Sequence, residues 1–348
     1  MKKIRKKIII IAGLIVLAIA VFLIFDNLRN NRMDLYIESK LKTNKSGFSL
    51  KNDNKIRIFL AGTASPQAFV KSNQSCTVIT VQGKAFVFDA GENAMHAIEG
   101  CGIPLSAVSN VFITHWHSDH FSGLDGLINN SWINGREDLF NVYGPDGVDE
   151  ILKGFAMAYR LDVQYRNKHF INNSELAFAI PHKITILDAG KSSIVYNNGG
   201  ILIEAFKVDH RPVEHAVGYL FTYKNKKIFI SGDTKATEWY FPALKNADVV
   251  IHEAVYGGLV RRAASIMRKI GWKDDAIKAE KILEYHADTL ELANLVERAG
   301  VKRLVLTHMI PEPDGVIDRI MFVHGIKGIY HGEVSIGYDS MAITMTAD

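Results

Sequence analysis

Val111-Phe112-Ile113-Thr114-His115-Trp116-His117-Ser118-Asp119-His120 is the stretch that decides how this chain folds. Val111, Phe112 and Ile113 read as the end of a buried strand, and a crowd of potential metal ligands follows at once. The strand fixes the backbone, and because side chains alternate along it, His115 and His117 leave its end on the same side. Asp119 and His120 fall at the predicted start of a helix, where the positive end of the helix dipole favours a carboxylate. Imidazoles with a carboxylate suit zinc, and iron or manganese less well. The alternative is a polar loop that happens to be rich in histidine, at the cost of burying unpaired imidazoles and carboxylates.

Upstream of the cluster, Ile56–Ala61, Cys76–Val81 and Ala85–Phe88 read as strands, the last two around the turn Gln82-Gly83. The third ends in Asp89-Ala90-Gly91 before a predicted helix, Glu92 to Glu99. Asp89 is either the N-cap of that helix or a carboxylate that orients the histidines. Downstream, Phe121–Leu127 continues as helix, Phe140–Tyr143 as strand and Val148–Tyr159 as helix. Strand-like runs at Ile184–Leu187 and Ile201–Lys207 lead to Val208-Asp209-His210-Arg211-Pro212-Val213-Glu214-His215, where His210 and His215 compete for the next ligand position. His210 ends an alternating strand, as a ligand should.

The strand Lys227–Ile230 ends in Ser231-Gly232-Asp233, and Ala247–Ile251 ends in His252-Glu253. Asp233 reads as a turn former or as a ligand. Val255–Ile270 and Lys273–Glu284 read as helices, the first with Arg261, Arg262, Arg268 and Lys269 on an apolar pattern. Such a helix is a lid over the site, a face resting on anionic lipid, or a plain solvated face. His286-Ala287-Asp288-Thr289 opens a helix from Leu290 to Ala299, and the strand Arg303–Leu306 delivers Thr307-His308. Val334–Ile336 and Ala342–Met345 alternate enough to be strands, with no chemistry in the tail. Trp116, Trp132, Trp239 and Trp272 line an apolar pocket or pack in the core.

At its amino end the chain runs apolar from Ile8 to Phe25, after Lys2, Lys3, Arg5, Lys6 and Lys7 and before Asp26. As a helix this run spans about 27 Å, the thickness of a bilayer core. Its length favours an uncleaved anchor, although Ala18-Ile19-Ala20 offers a cleavage site. The basic start stays cytoplasmic, with Arg29 and Arg32 weighing against it on the far side. The predicted organisation is therefore 1–25 cytoplasmic start and anchor, 26–54 tether, and 55–348 folded domain on the extracytoplasmic side. The net charge is +4, and those five basic residues supply more than all of that excess. The folded part is near neutral, which argues against nucleic acid as a partner. Cys76 and Cys101 are the only cysteines, and they form either a disulfide outside the cell or two separate thiols. Oligomeric state is not legible.

The His-x-His-x-Asp-His run at 115–120, followed in order by Asp209-His210-Arg211-Pro212-Val213, Ser231-Gly232-Asp233 and Thr307-His308, resembles the signature of the metallo-β-lactamase superfamily. The resemblance covers about residues 56 to 310 and runs closest to the arylsulfatase-like and ribonuclease Z-like branches. It implies an α/β fold, a four-layer αββα sandwich, here preceded by one transmembrane helix. It implies that His115, His117 and His210 hold one zinc, that Asp119, His120 and His308 hold a second, and that Asp233 bridges them with Asp89 behind. His215, where those branches often have Pro, would then line the pocket. Two zincs roughly 3.5–4 Å apart share a water and lower its pKa towards about 7, giving a bridging hydroxide that Asp119 can also orient. His286, with Glu253 to orient it, matches residues that protonate the leaving group in ribonuclease Z-like enzymes, against a plain capping role; Asp288 departs from the Thr or Ser common there.

The implied reaction is hydrolysis of a small ester, a sulfate ester or a phosphodiester. Ribonuclease Z itself carries a long arm between the third ligand motif and the bridging Asp, whereas Gly218 to Asp233 reads as a bare hairpin. Action on RNA is thus the alternative, with lactonase or β-lactamase-type hydrolysis behind it. A non-catalytic metal-binding module is the third class. A flavodiiron centre usually has a carboxylate where His117 stands.

Overall fold

The computed structural model describes residues 2–46, 50–66, 71–169, 173–185 and 188–347. The chain divides into two units, Met1–Ser49 and Leu50–Asp348. The first is a single helix, α1 (Lys2–Ser46). Within it Gly13–Ser39 is long and apolar enough to cross a membrane. Most of the stretch expected to be a tether, 26–54, is also helical, because no Gly or Pro interrupts it between Asp26 and Ser46. Asp26 accepts a hydrogen bond from Arg29 at 2.6 Å one turn on.

The strands of the second unit are, in chain order, β1 (Lys55–Gly62), β2 (Cys76–Val81), β3 (Lys84–Phe88), β4 (Val108–Phe112), β5 (Phe140–Gly144), β6 (Ala179–Lys183) and β7 (Ser192–Asn198). They continue as β8 (Ile201–Lys207), β9 (Val217–Tyr223), β10 (Lys226–Ile230), β11 (Val249–Val255), β12 (Arg303–Ile310), β13 (Glu333–Ile336) and β14 (Met341–Thr346). The helices are α2 (Ala94–Gly100), α3 (Ser118–Phe121), α4 (Leu124–Ile133), α5 (Val148–His169), α6 (Phe241–Leu244), α7 (Gly257–Lys269), α8 (Lys273–Ile282), α9 (Thr289–Ala299) and α10 (Val316–Phe322). Among the described residues the strands form two seven-stranded sheets, β14-β1-β2-β3-β4-β5-β6 and β13-β12-β11-β10-β9-β8-β7.

The sheets face one another across a core built from both, including Ile58, Phe86, Phe112, Tyr219, Ile251 and Val305. Burying each such side chain contributes about 1.5–3 kcal/mol. Helices α2, α4 and α5 cover the outer face of the first sheet, and α6, α9 and α10 that of the second. The result is the four-layer αββα sandwich. Phe112 stacks between Phe88 and Tyr143 at 5.2 and 4.6 Å. The Tyr219 hydroxyl crosses from β9 to donate to the Ile113 carbonyl at 2.5 Å, pinning the chain just before His115 to the opposite sheet.

Local departures from the expectations have physical causes. The helix expected from Phe121 is two helices, because Gly123 lies so close to the Gly91 carbonyl that a Cβ there would come within 2.2 Å of it. The run Ile184–Leu187 is not a strand in its described part, and residues 186 and 187 lie outside the described residues. The strand is β6, immediately before it, and it contains Pro181, which an edge position tolerates because one side of the strand makes no ladder. Helix α5 runs on to His169, well past Tyr159. Cys76 and Cys101 are both free thiols.

Candidate metal centre

The parallel strands deliver their carboxyl ends to one edge of the sandwich, and the polar residues beyond those ends meet there. Beyond β4 the chain places His115 and His117, and α3 adds Asp119 and His120. His210 follows β8, Asp233 follows β10, and Glu253 lies on β11. On β12 the register with β11 slips between Glu253 and Ala254, so His308 is a bulged residue with φ of 45° and turns into the site.

Two groups of ligand atoms form. In the first, His117 Nδ1 lies 3.0 Å from His115 Nε2 and 3.3 Å from His210 Nε2. Asp233 Oδ2 stands 4.0 and 3.8 Å from those Nε2 atoms. In the second, Asp119 Oδ2 lies 3.0 Å from His308 Nε2 and 3.4 Å from His120 Nε2. The other oxygen of Asp233, Oδ1, is 3.4 Å from His120 Nε2 and 3.5 Å from His308 Nδ1. One carboxylate thus faces each group with a different oxygen.

The donor chemistry fits cations. His120 Nε2, His308 Nδ1 and Asp233 Oδ1 are buried without a hydrogen-bond partner, and all three face the same small space. Leaving such groups unpaired is costly unless something positive sits among them. His117 Nδ1 confronts two imidazole nitrogens and can donate a hydrogen to only one of them. Burial, together with the charge on His120, holds the His115 pKa well below its usual value, and burial pushes that of His210 down to about 4. Both imidazoles are therefore neutral, as ligands must be.

The outer hydrogen bonds fix which nitrogen is free. Asp89 accepts from Thr114 N at 2.8 Å and from the Thr114 hydroxyl at 2.9 Å, and it holds His120 Nδ1 at 2.7 Å. Asn93, not Asp89, stands at the start of α2. His115 Nδ1 donates to the Thr114 hydroxyl at 3.1 Å, and His210 Nδ1 to the Tyr285 carbonyl at 3.1 Å, which turns both Nε2 atoms inward. Replacing Asp89 with alanine is expected to weaken metal binding about 10–100-fold. A competitive chelator titration reads this, and unchanged affinity would remove the orienting role.

Gly232 lets Asp233 come this near to Thr114. Its φ is +59°, and a Cβ there would lie 2.7 Å from the Thr114 Cβ. Gly232→Ala is expected to cost about 1–3 kcal/mol for the backbone conformation alone. Urea denaturation measures it, and parental stability would refute the close packing.

His286 Nδ1 pairs with Glu253 Oε1 at 2.8 Å, the partnership expected from the sequence. The same oxygen accepts from Thr234 N at 2.9 Å and Ala287 N at 3.3 Å, so Glu253 is anchored from three sides. Burial by itself would lower the His286 pKa, but the Glu253 carboxylate outweighs it and pushes it up to about 9. The cap of α9 is Asp288, which accepts from Leu290 N and pairs with Arg261 at 3.0 Å; His286 does not cap it.

A cavity of about 380 Å³ opens onto the site. Ser65, Pro66, Ile282, Tyr285 and Ile310 form its walls beside His117, Asp119, His210, Asp233, His286 and His308. The loop after β1 and the end of the α8 segment thus supply walls, and none of the four tryptophans contributes to the lining. His215 is a correction as well. Its φ is 61°, and it stands exposed 3.9 Å from Glu214, away from the cavity it was expected to line.

Nothing in the local sequence points to Asp339. Its carboxylate accepts from Thr63 N and Oγ1 at 3.1 and 2.8 Å, and from Asn73 N and Nδ2 at 2.7 and 2.9 Å. Thr63 in turn accepts from His308 N at 2.9 Å. Asp339 thus clamps the loop that carries Ser65 and Pro66 onto the backbone of His308. No local pattern could reveal a partnership 276 positions apart.

The sequence model of the family described as Anti-Pycsar protein Apyc1 matches residues 56–309, which include Asp89 and every member of both ligand groups. The chain is similar to ribonuclease Z of Mycobacterium sp. (strain KMS), 26% identical over 258 residues, 74% of this chain and 85% of the relative. In structure it is similar to the metallo-β-lactamase fold protein YhfI from Bacillus subtilis, with a TM-score of 0.61 and 16% identity over 84% of this chain and 100% of that one. Human tRNase Z, short form, aligns with a TM-score of 0.59 and 21% identity over 82% of this chain and 98% of that one. At these identities the two structures establish the shared fold.

Proposed function

The chain belongs to the family of the Anti-Pycsar protein Apyc1 and is a metal-dependent hydrolase of phosphodiester or other ester bonds with the metallo-β-lactamase fold, and from that premise we propose that it is a membrane-anchored binuclear zinc enzyme acting on a small phosphodiester. The observation that carries this reading is Asp233, with Oδ1 turned to His120 and His308 and Oδ2 to His115 and His210. In this assignment His115, His117 and His210 would hold one cation and Asp119, His120 and His308 the other, with Asp233 offering one oxygen to each set. Divalent cations held there would supply an activated water near neutral pH and positive charge against the attacked centre. Asp119 orients the attacking water, and His286 supplies a proton to the leaving oxygen while Glu253 holds its ring in place. Pro66, Ile282, Tyr285 and Ile310 give the cavity an apolar side that receives an organic ester group.

The likeness to ribonuclease Z over 258 residues supports a second reading, cleavage of RNA. Two features favour the small diester. β9 and β10 are joined by the tight turn Lys224-Asn225, leaving no arm to embrace an RNA. The excess positive charge of the chain lies in its first seven residues, outside the sequence of the folded unit. A panel of bis-aryl phosphates, aryl sulfates, lactones and a precursor tRNA, offered to the zinc-loaded protein, separates the readings. Fastest turnover of the bis-aryl phosphate is expected; turnover of the tRNA alone would replace the proposal, and preference for aryl sulfate would change the ester class.

The anchor in this reading is α1, with Lys2 to Lys7 in the cytoplasm and the catalytic unit on the extracytoplasmic side. Alkaline extraction tests the anchoring and protease accessibility in intact cells tests the side.

A further inference from the structure

The α7–α8 hairpin carries apolar side chains that nothing in the fold covers. Ile266, Ile270, Trp272 and Ile277 are each about half exposed or more, with Ile270 at 56% and Trp272 at 59%. The other side of the hairpin is well used. Val260 packs with Val255 and Ile310, and Ile282 and Leu283 join them beside the mouth of the metal site. Only the outward face is bare.

That face alternates apolar and basic groups. Arg262, Ile266 and Ile270 lie one turn apart along α7, as do Lys273 and Ile277 on α8, so each set shares one side of its helix. Three cations of the hairpin are already neutralised, Arg268 by Glu280, Arg261 by Asp288 and Lys278 by Asp275. Arg262, Lys269 and Lys273 have no carboxylate partner among the described residues, and Lys269 and Lys273 flank the Ile270–Trp272 tip.

We propose that this tip docks on an anionic lipid surface, with Ile270 and Trp272 entering the headgroup boundary and Arg262, Lys269 and Lys273 meeting lipid phosphates. A tryptophan beside aliphatic residues with flanking cations suits the layered polarity of a bilayer interface, where the ring lies at headgroup depth. A second copy of the chain fits worse, because a two-fold contact through this face would set its unpaired cations against their own mates. Nucleic acid fits worse too, since its phosphate backbone offers nothing to the exposed isoleucines. The proposal rests on the reading of α1 as an anchor, which keeps the catalytic unit at high effective concentration near lipid and makes a small patch sufficient. Docking would hold the mouth of the metal site, walled by Ile282 and Tyr285 of the same hairpin region, close to the bilayer.

The full chain reports on this directly, because α1 contains no tryptophan. Trp132 is buried, and Trp116 and Trp239 are partly buried and packed, so Trp272 is the one positioned to meet lipid. The protein is reconstituted into vesicles of phosphatidylcholine alone or mixed with phosphatidylglycerol, each with brominated acyl chains, and flotation and tryptophan emission are read together. Docking predicts flotation with both vesicles and quenching in the anionic ones. That quenched share disappears in Trp272→Phe and falls in Lys269→Glu/Lys273→Glu, with ester hydrolysis in solution unchanged as the check on folding. Flotation with Trp272 unquenched overturns the docking and leaves the anchor standing. Failure to float overturns both. Quenching indifferent to headgroup charge overturns the lipid-phosphate contacts, and a Trp272 emission shift produced by a short RNA in place of lipid assigns the tip to nucleic acid and overturns the proposal.

Discussion

Asp233→Ala is expected to lower hydrolysis of a bis-aryl phosphate by about 1,000-fold or more, roughly 4 kcal/mol of transition-state stabilisation. The carboxylate faces both ligand sets, at 3.4 and 3.5 Å from one oxygen and 3.8 and 4.0 Å from the other. Without it five imidazoles and Asp119 would be left to hold the metal, with less negative charge to compensate it. The metal-free protein should lose stability too, because the buried His120 ring keeps its tendency to hold a proton with one carboxylate fewer to face. The loss of metal binding is separate from that destabilisation. The separation is measurable by thermal melting with and without zinc. Zinc at a hundred times its dissociation constant should stabilise the parent by about 2.7 kcal/mol for one site, and that increment should shrink or vanish in the variant. Full activity in Asp233→Ala, or a zinc-induced shift equal to the parent's, would end the bridging assignment. Asp233→Asn keeps the shape and loses the charge, so it should fall between the two.

What the sequence made legible follows from where its information is local. His115, His117, Asp119 and His120 sit within one stretch after an apolar run, and Asp233 and His308 each close an apolar strand of their own. A strand that is buried on both faces has to be apolar, so the polar residue at its carboxyl end stands out. The convergence of those ends is a property of parallel sheets, and it brought the ligand sets together. Three things were not local. Strand β6 was hidden by Pro181, which only an edge position allows. The direction of His215 depends on a positive φ that no residue type announces. Asp339 works across the whole length of the catalytic unit, in a tail whose pattern shows only a strand. Periodicity reports which face of an element is covered, and these three depend on what lies beyond the element.

The protonation of the leaving group should be readable first at Glu253, in the pH profile. Glu253→Gln retains an oxygen for Thr234 N and Ala287 N and removes the charge that holds the His286 pKa up to about 9. Glu253 favours the protonated imidazole, so its loss lowers the His286 pKa. A proton donor must be protonated to act, and rate therefore falls as pH rises through that pKa. The alkaline limb of kcat should move to lower pH in Glu253→Gln by about 1 unit or more, the scale of an opposite charge removed from hydrogen-bond distance. The leaving group then distinguishes proton donation from general damage. An alkyl phosphodiester, whose departing alkoxide needs a proton, should lose about 100-fold or more in His286→Ala, within the usual range for a positioned acid. A diester with a nitrophenyl leaving group departs as a stable anion and should lose far less. Equal losses on both substrates would mean that His286 and Glu253 only hold the pocket in shape. A pH profile unmoved by Glu253→Gln would mean that the buried pair does not set the protonation of the acid at all.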